Sequence, residues 1–178
     1  MVRKTLFVAL LTVALSLPSM GQSLDESVFK GTFMASYDAA TGKIVQLAEA
    51  LSEDQYDWRP SEGVRSVKES LMHVANANAF FAGALGAEVP ESMKGRNLEK
   101  EIESKEDALK VLKESIKLAR DAVNALSTDD MTKEIDWFDG SKKPMLAMVF
   151  VVSDHANEHL GQLIAYARSN EVAPPWSN

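Results

Sequence analysis

Apolar residues recur at three- and four-residue steps along four long stretches of the chain, and each stretch predicts an amphipathic helix. The first runs from about Asp25 to Leu51, with Phe33, Tyr37, Ala40, Ile44, Leu47 and Leu51 on one face. The second starts at Ser66, where Ser66-Val67-Lys68-Glu69 has the form of a capping box: the serine hydroxyl and the glutamate carboxylate each satisfy a backbone amide of the first turn. It continues through LMHVANANAFF to Gly86. The third runs from Ser104 to Leu126 on the stripe Ala108, Leu112, Ala119, Val123 and Leu126. The fourth begins at Pro144, a residue suited to a first helical turn, and reaches about Arg168.

Between them, 52–65 holds Trp58-Arg59-Pro60 and Gly63 and reads as an ordered loop, while 87–103 is polar. In 128–143, Ile135 and Trp137 alternate ahead of Asp139-Gly140, which predicts a small hairpin. The tail EVAPPWSN is not helical, and Trp176 is expected to pack back on the body. Four such helices without a convincing sheet predict an all-α fold, an up-down four-helix bundle forming one domain over residues 22–178.

Residues 1–21 have a different pattern. A short basic start, Arg3-Lys4, precedes an apolar run over 5–17 and then small residues at Ser19 and Gly21, the layout of a secretory signal peptide cut after Gly21. The run is shorter than the roughly 20 apolar residues that span a bilayer. With no cysteine to carry a lipid, no stable membrane anchor is expected after cleavage. The expected location is periplasmic or extracellular. Export sharpens the meaning of the charge. The chain is already at −7, and losing Arg3 and Lys4 makes the remainder more acidic, a poor match for nucleic acid or anionic membranes. The absence of cysteine also excludes disulfides, a thiol nucleophile and thiolate metal ligands.

The chemistry concentrates in DHANEHLGQL, residues 154–163. On a helix, His155 and His159 lie one turn and about 40° apart, so both imidazoles can reach one point. Met148 and Val152 on one side, and Leu163 and Tyr166 on the other, mark that line as facing the interior. The remaining histidine, His73, shares a face of the second helix with Ala77 and Phe80. Buried neighbouring imidazoles need partners and repel one another when charged; a divalent metal resolves both problems. Three histidines would leave a coordination position open, as catalytic sites do, and would suit zinc, nickel, iron or manganese. The alternative is a polar seam without function. Gln162 is placed to orient His159 or line a pocket. Asn76 and Asn78 are similar candidates on the second helix. Glu158, about 60° from His155, is a candidate general base, against the simpler reading of a solvated flank residue.

Two related patterns fit less well. His155-Ala156-Asn157-Glu158-His159 matches the HxxEH pattern of inverted zinc peptidases, but Glu171 is the single acid after His159, which leaves no proper downstream half. A di-iron carboxylate bundle needs glutamate three residues before histidine, where Ser70 and Ala156 stand here.

Taken in order, Trp58-Arg59-Pro60, the capped helix leading to His73, His155-x-x-x-His159-x-Gly161-Gln162, Arg168 and Pro174-Pro175 resemble the DinB-like (DNA-damage-inducible) metal-binding four-helix bundles. The resemblance spans about Phe29 to Trp176. It implies the bundle, His73, His155 and His159 as ligands, and frequent homodimers. Asn170 departs from a common glycine and Leu160 from a common arginine; neither touches the ligands. Characterised relatives include transferases and isomerases using low-molecular-weight thiols, which suit the cytoplasm better than an exported chain. The expected function is therefore a metal-dependent hydrolase or group transferase acting on a small molecule. A non-catalytic metal-binding or stress-related protein is the alternative.

Overall fold

The computed structural model describes residues 25–177; the leader-like segment 1–21 lies outside them. Four long helices form the bundle: α1 (Glu26–Ala50), α2 (Val67–Ala84), α4 (Lys105–Ala125) and α6 (Met145–Ser169). Short elements fill the connections: a 3₁₀ turn (Asp54–Asp57), α3 (Leu98–Glu101), α5 (Thr128–Thr132), and the antiparallel strands β1 (Glu134–Asp136) and β2 (Lys142–Pro144). The hairpin predicted around Asp139-Gly140 is thus present, with Gly140 at φ 81°. Among the described residues, no helix is long and apolar enough to cross a membrane.

The helix starts follow local chemistry. Asp25 accepts from the amides of Ser27 and Val28. The capping box of α2 is complete: the Ser66 amide donates to Glu69 Oε2 at 2.7 Å, and the Glu69 amide donates to Ser66 Oγ at 3.2 Å. Arg59 binds the same Glu69 carboxylate at 3.0 Å and donates to the Val64 carbonyl at 2.9 Å, so the Trp-Arg-Pro loop is tied to the first turn of α2. A second capping box, Ser127 with Asp130, starts α5. Pro144, the last residue of β2, stands at the N-cap position of α6 without a side-chain cap bond.

Every stripe residue predicted for α1 and α4 is buried. Pairings across the bundle give the helix directions. Glu26 with Thr128, Asp38 with Arg120 and Glu49 with Lys113 make α1 and α4 antiparallel. Lys68 with the Glu103 carbonyl and Asn78 with Ser115 make α2 and α4 parallel. Phe29 against Phe150 and Ser36 against Ser153 make α1 and α6 parallel. The order is therefore up, down, down, up: the four-helix bundle expected from the sequence is present, but its helices do not simply alternate in direction. Two consecutive parallel helices need a connection that travels the length of the bundle. That crossover is the polar segment between α2 and α4, and it carries α3 back to the start of α2.

Polar side chains also register the core. The Tyr37 hydroxyl donates to Asn78 Oδ1 at 3.1 Å, and Asn78 Nδ2 donates to Ser115 Oγ at 3.2 Å. Ser115 Oγ donates to the Leu112 carbonyl at 2.8 Å. Asn78 therefore links three helices. Trp176 packs against the core with the Lys43 ammonium 5.4 Å from its ring, as expected of the tail. Asn78→Ala would leave the Tyr37 hydroxyl buried without its acceptor and open a small void; a loss of about 2–3 kcal/mol is expected, read as a lower urea midpoint with unchanged helicity.

Candidate metal centre

α2 contributes His73 and α6 contributes His155 and His159, and antiparallel packing of these two helices brings all three rings together. Their candidate ligand atoms lie within 4.8 Å of one another. His155 Nε2 is 3.3 Å from His73 Nε2 and 3.2 Å from His159 Nε2. His159 is buried, while His73 and His155 are partly exposed.

The surrounding hydrogen bonds decide where the protons are. The Tyr166 hydroxyl donates to the Arg65 carbonyl at 3.2 Å, because a carbonyl can only accept. Gln162 Nε2 donates to that hydroxyl at 2.9 Å, which turns Gln162 Oε1 toward His159 Nδ1, 2.7 Å away. An amide oxygen accepts, so Nδ1 of His159 carries the proton and its Nε2 is a bare lone pair. On the other side, His73 Nδ1 lies 3.1 Å from Glu99 Oε1, and Glu99 Oε2 accepts from Arg65 Nε at 2.8 Å. The carboxylate accepts at both oxygens, leaving His73 Nε2 bare as well.

Two bare nitrogens thus flank His155 Nε2. One proton on His155 could serve one of them and not the other. A cation among the three satisfies all of them. The two spacings from His155 agree: nitrogens about 2.0–2.1 Å from a tetrahedral zinc are about 3.3 Å apart. The donor set, neutral imidazoles with no thiolate, therefore fits a divalent metal without selecting which one.

The electrostatics favour the neutral form that a metal requires. Burial, reinforced by the neighbouring His159, His73 and Arg65, pushes His155 down to about 4. Burial also lowers His73, with Arg65 adding to the effect and Glu99 opposing it.

Of the other residues singled out from sequence, Gln162 lies against His159, its Oε1 2.7 Å from Nδ1. Asn76 is one turn from His73 but lines a separate groove of about 640 Å³ with Ala79, Phe80, Val89 and Met93. Asn78 belongs to the core chain described above. Glu158 is exposed, and its carboxylate is not among the groups that converge with the histidines. The carboxylate beside the site is Glu99, which sequence reasoning missed because the crossover offered no periodic pattern. A second groove, about 590 Å³, is lined by Arg59, Arg65, Glu69, Glu99 and Gln162, so it adjoins the partners of His73 and His159. On the opposite flank Phe81 meets the His155 ring edge-on at 5.4 Å, and Phe80 stacks on Phe138 of the hairpin at 6.0 Å.

Residues 36–163 match the family model of the DinB superfamily. Among curated proteins, none matches the chain. Solved structures do. A DinB-like protein from Bacillus cereus ATCC 10987 superposes with a TM-score of 0.70 at 16% identity, covering 83% of this chain and 97% of that one. The DinB-like protein YjoA from Bacillus subtilis gives 0.63 at 21% identity, with 79% and 92% covered. YfiT from Bacillus subtilis, described as a probable metal-dependent hydrolase with an unusual four-helix bundle topology, gives 0.62 at 14% identity, with 85% and 93% covered. At these identities the likenesses establish the fold.

The lowered His155 pKa has a consequence for stability. In the unfolded chain this imidazole takes up a proton near 6.5, and in the folded chain at about 4. Between those values the unfolded state binds more protons, so the group's contribution to stability is complete above 6.5 and is lost as the pH falls toward 4. The chelator-treated protein is expected to show a falling urea midpoint across that window, and His155→Gln a shallower fall.

Proposed function

This chain belongs to the DinB superfamily, and from that premise we propose that it is a metal-dependent hydrolase or group transferase acting on a small molecule. The observation that carries this reading is the convergence of three imidazoles, with His155 Nε2 3.3 Å from His73 Nε2 and 3.2 Å from His159 Nε2, and with hydrogen bonds that keep at least two of the three nitrogens unprotonated. A divalent ion held by His73, His155 and His159 would supply Lewis acidity toward a substrate oxygen. The description of YfiT as a probable metal-dependent hydrolase supports the same reading.

The protein's own groups supply the rest. Gln162 and Tyr166 hold His159 in one orientation. Arg59 and Arg65, on the wall of the polar groove, offer guanidinium donors to an anionic or carbonyl-bearing part of a substrate. The partial exposure of His73 and His155 supports access from solvent, which a catalytic centre needs and a purely structural clamp between helices does not. We also propose that the protein works outside the cytoplasm, on the leader-like pattern of residues 1–21.

Elemental analysis tests the metal. The protein, purified without chelator or histidine tag, is expected to hold about one equivalent of metal, and the His155→Ala, His159→Ala double variant little. Failure to bind zinc, nickel, manganese or iron on reconstitution would overturn the reading. A metal-loaded protein that turns over no ester, amide or thiol-transfer substrate would favour the non-catalytic alternative. For export, N-terminal sequencing of the protein recovered outside the cytoplasm is expected to begin at Gln22; an intact Met1 there would refute cleavage.

A further inference from the structure

We infer that Glu99, on the crossover between α2 and α4, is a positioning residue for the metal centre: it holds His73 in the Nδ1–H tautomer and so presents Nε2 to the metal. The inference rests on the metal-centre reading for its functional meaning, while the tautomer itself is a property of the metal-free chain.

Glu99 is fixed from two sides. Its Oε1 faces His73 Nδ1 at 3.1 Å and its Oε2 accepts from Arg65 Nε at 2.8 Å. The side chain is only about a quarter exposed, as is that of His73, so water competes weakly for either. Arg65 joins this arm to the other ligand arm. Its guanidinium holds Glu99, and its carbonyl accepts from Tyr166, which accepts from Gln162, whose oxygen faces His159. His73 and His159 are therefore oriented by two arms that meet at one residue, immediately before the cap of α2. A histidine that donates its outer nitrogen to a carboxylate is both locked in rotation and made a more basic ligand.

The crossover has a second attachment to α2 that allows a clean control. Lys68 Nζ donates to the Glu103 carbonyl at 3.1 Å, and this contact touches no histidine. If Glu99 only docked the crossover, loss of the Lys68 contact should do similar harm.

The experiment measures two quantities on the full mature chain. The first is the His73 tautomer in metal-free protein, from ¹⁵N–¹H correlations of the imidazole ring. The second is zinc affinity by competition with a chromophoric chelator. The parent is expected to show Nδ1–H at His73. Glu99→Ala is expected to lose that fixed tautomer and bind zinc ~10–100-fold more weakly. Glu99→Gln, whose amide oxygen can still accept, should recover part of both, and Lys68→Ala should match the parent. An Nε2–H tautomer in the parent, an unchanged zinc affinity in Glu99→Ala, or an equal loss in Lys68→Ala would overturn the role of Glu99. A parent that shows Nδ1–H at His73, lost in Glu99→Ala, but binds no metal would instead overturn the metal reading and leave the tautomer assignment standing.

Discussion

Nitrogen lone pairs 3.2–3.3 Å apart repel unless a proton or a cation lies between them. In this bundle, His155 Nε2 stands at such distances from both His73 Nε2 and His159 Nε2 at the interface of α2 and α6. The hydrogen bonds behind them remove the simplest relief, because the outer nitrogens of His73 and His159 face groups that accept. The burial that lowers His155 removes another, since protonating it is costly. What remains is a site whose unfavourable features in the absence of a cation are the features that would make it bind one.

The helix directions decide which residues can meet there. The two ligand-bearing helices run antiparallel, so His73, in the first half of α2, meets His155 and His159 around the middle of α6. Because α2 and α4 run parallel, the chain must climb back along the bundle between them. That climb would otherwise be a structural expense, yet it lays α3 over the start of α2 and carries Glu99 to His73. The capping box of α2, tied by Arg59, holds the same end of the helix firm. The precision of the ligands thus derives from a loop, a helix cap and a crossover that converge at Arg65.

Away from the centre, the core is held in register by a few polar links rather than by disulfides, which the chain cannot form. Tyr37, Asn78 and Ser115 join three helices through one buried chain of hydrogen bonds. Such chains discriminate against a slipped helix, because a shift by one turn would leave each of these groups unsatisfied.

The four long helices, their buried stripes, the capping box at Ser66 and the pairing of His155 with His159 were all determined by the sequence alone. Each depends on residues within a turn or two of one another, where the 3.6-residue period is decisive. The hairpin was legible for the same reason, from alternation and Asp139-Gly140. Three things were left to the tertiary structure. The up, down, down, up order depends on which faces pack together, and periodicity does not reveal that. Asn76 and Asn78, alike in sequence, diverge because one faces a groove and the other the centre of the bundle. Glu99 could not be preferred to Glu158 from the chain, because Glu158 neighbours the ligands in sequence while Glu99 neighbours them only in space. A site assembled from α2, α6 and the crossover between α2 and α4 is defined by contacts between segments far apart along the chain, and only their packing brings those groups within hydrogen-bonding distance.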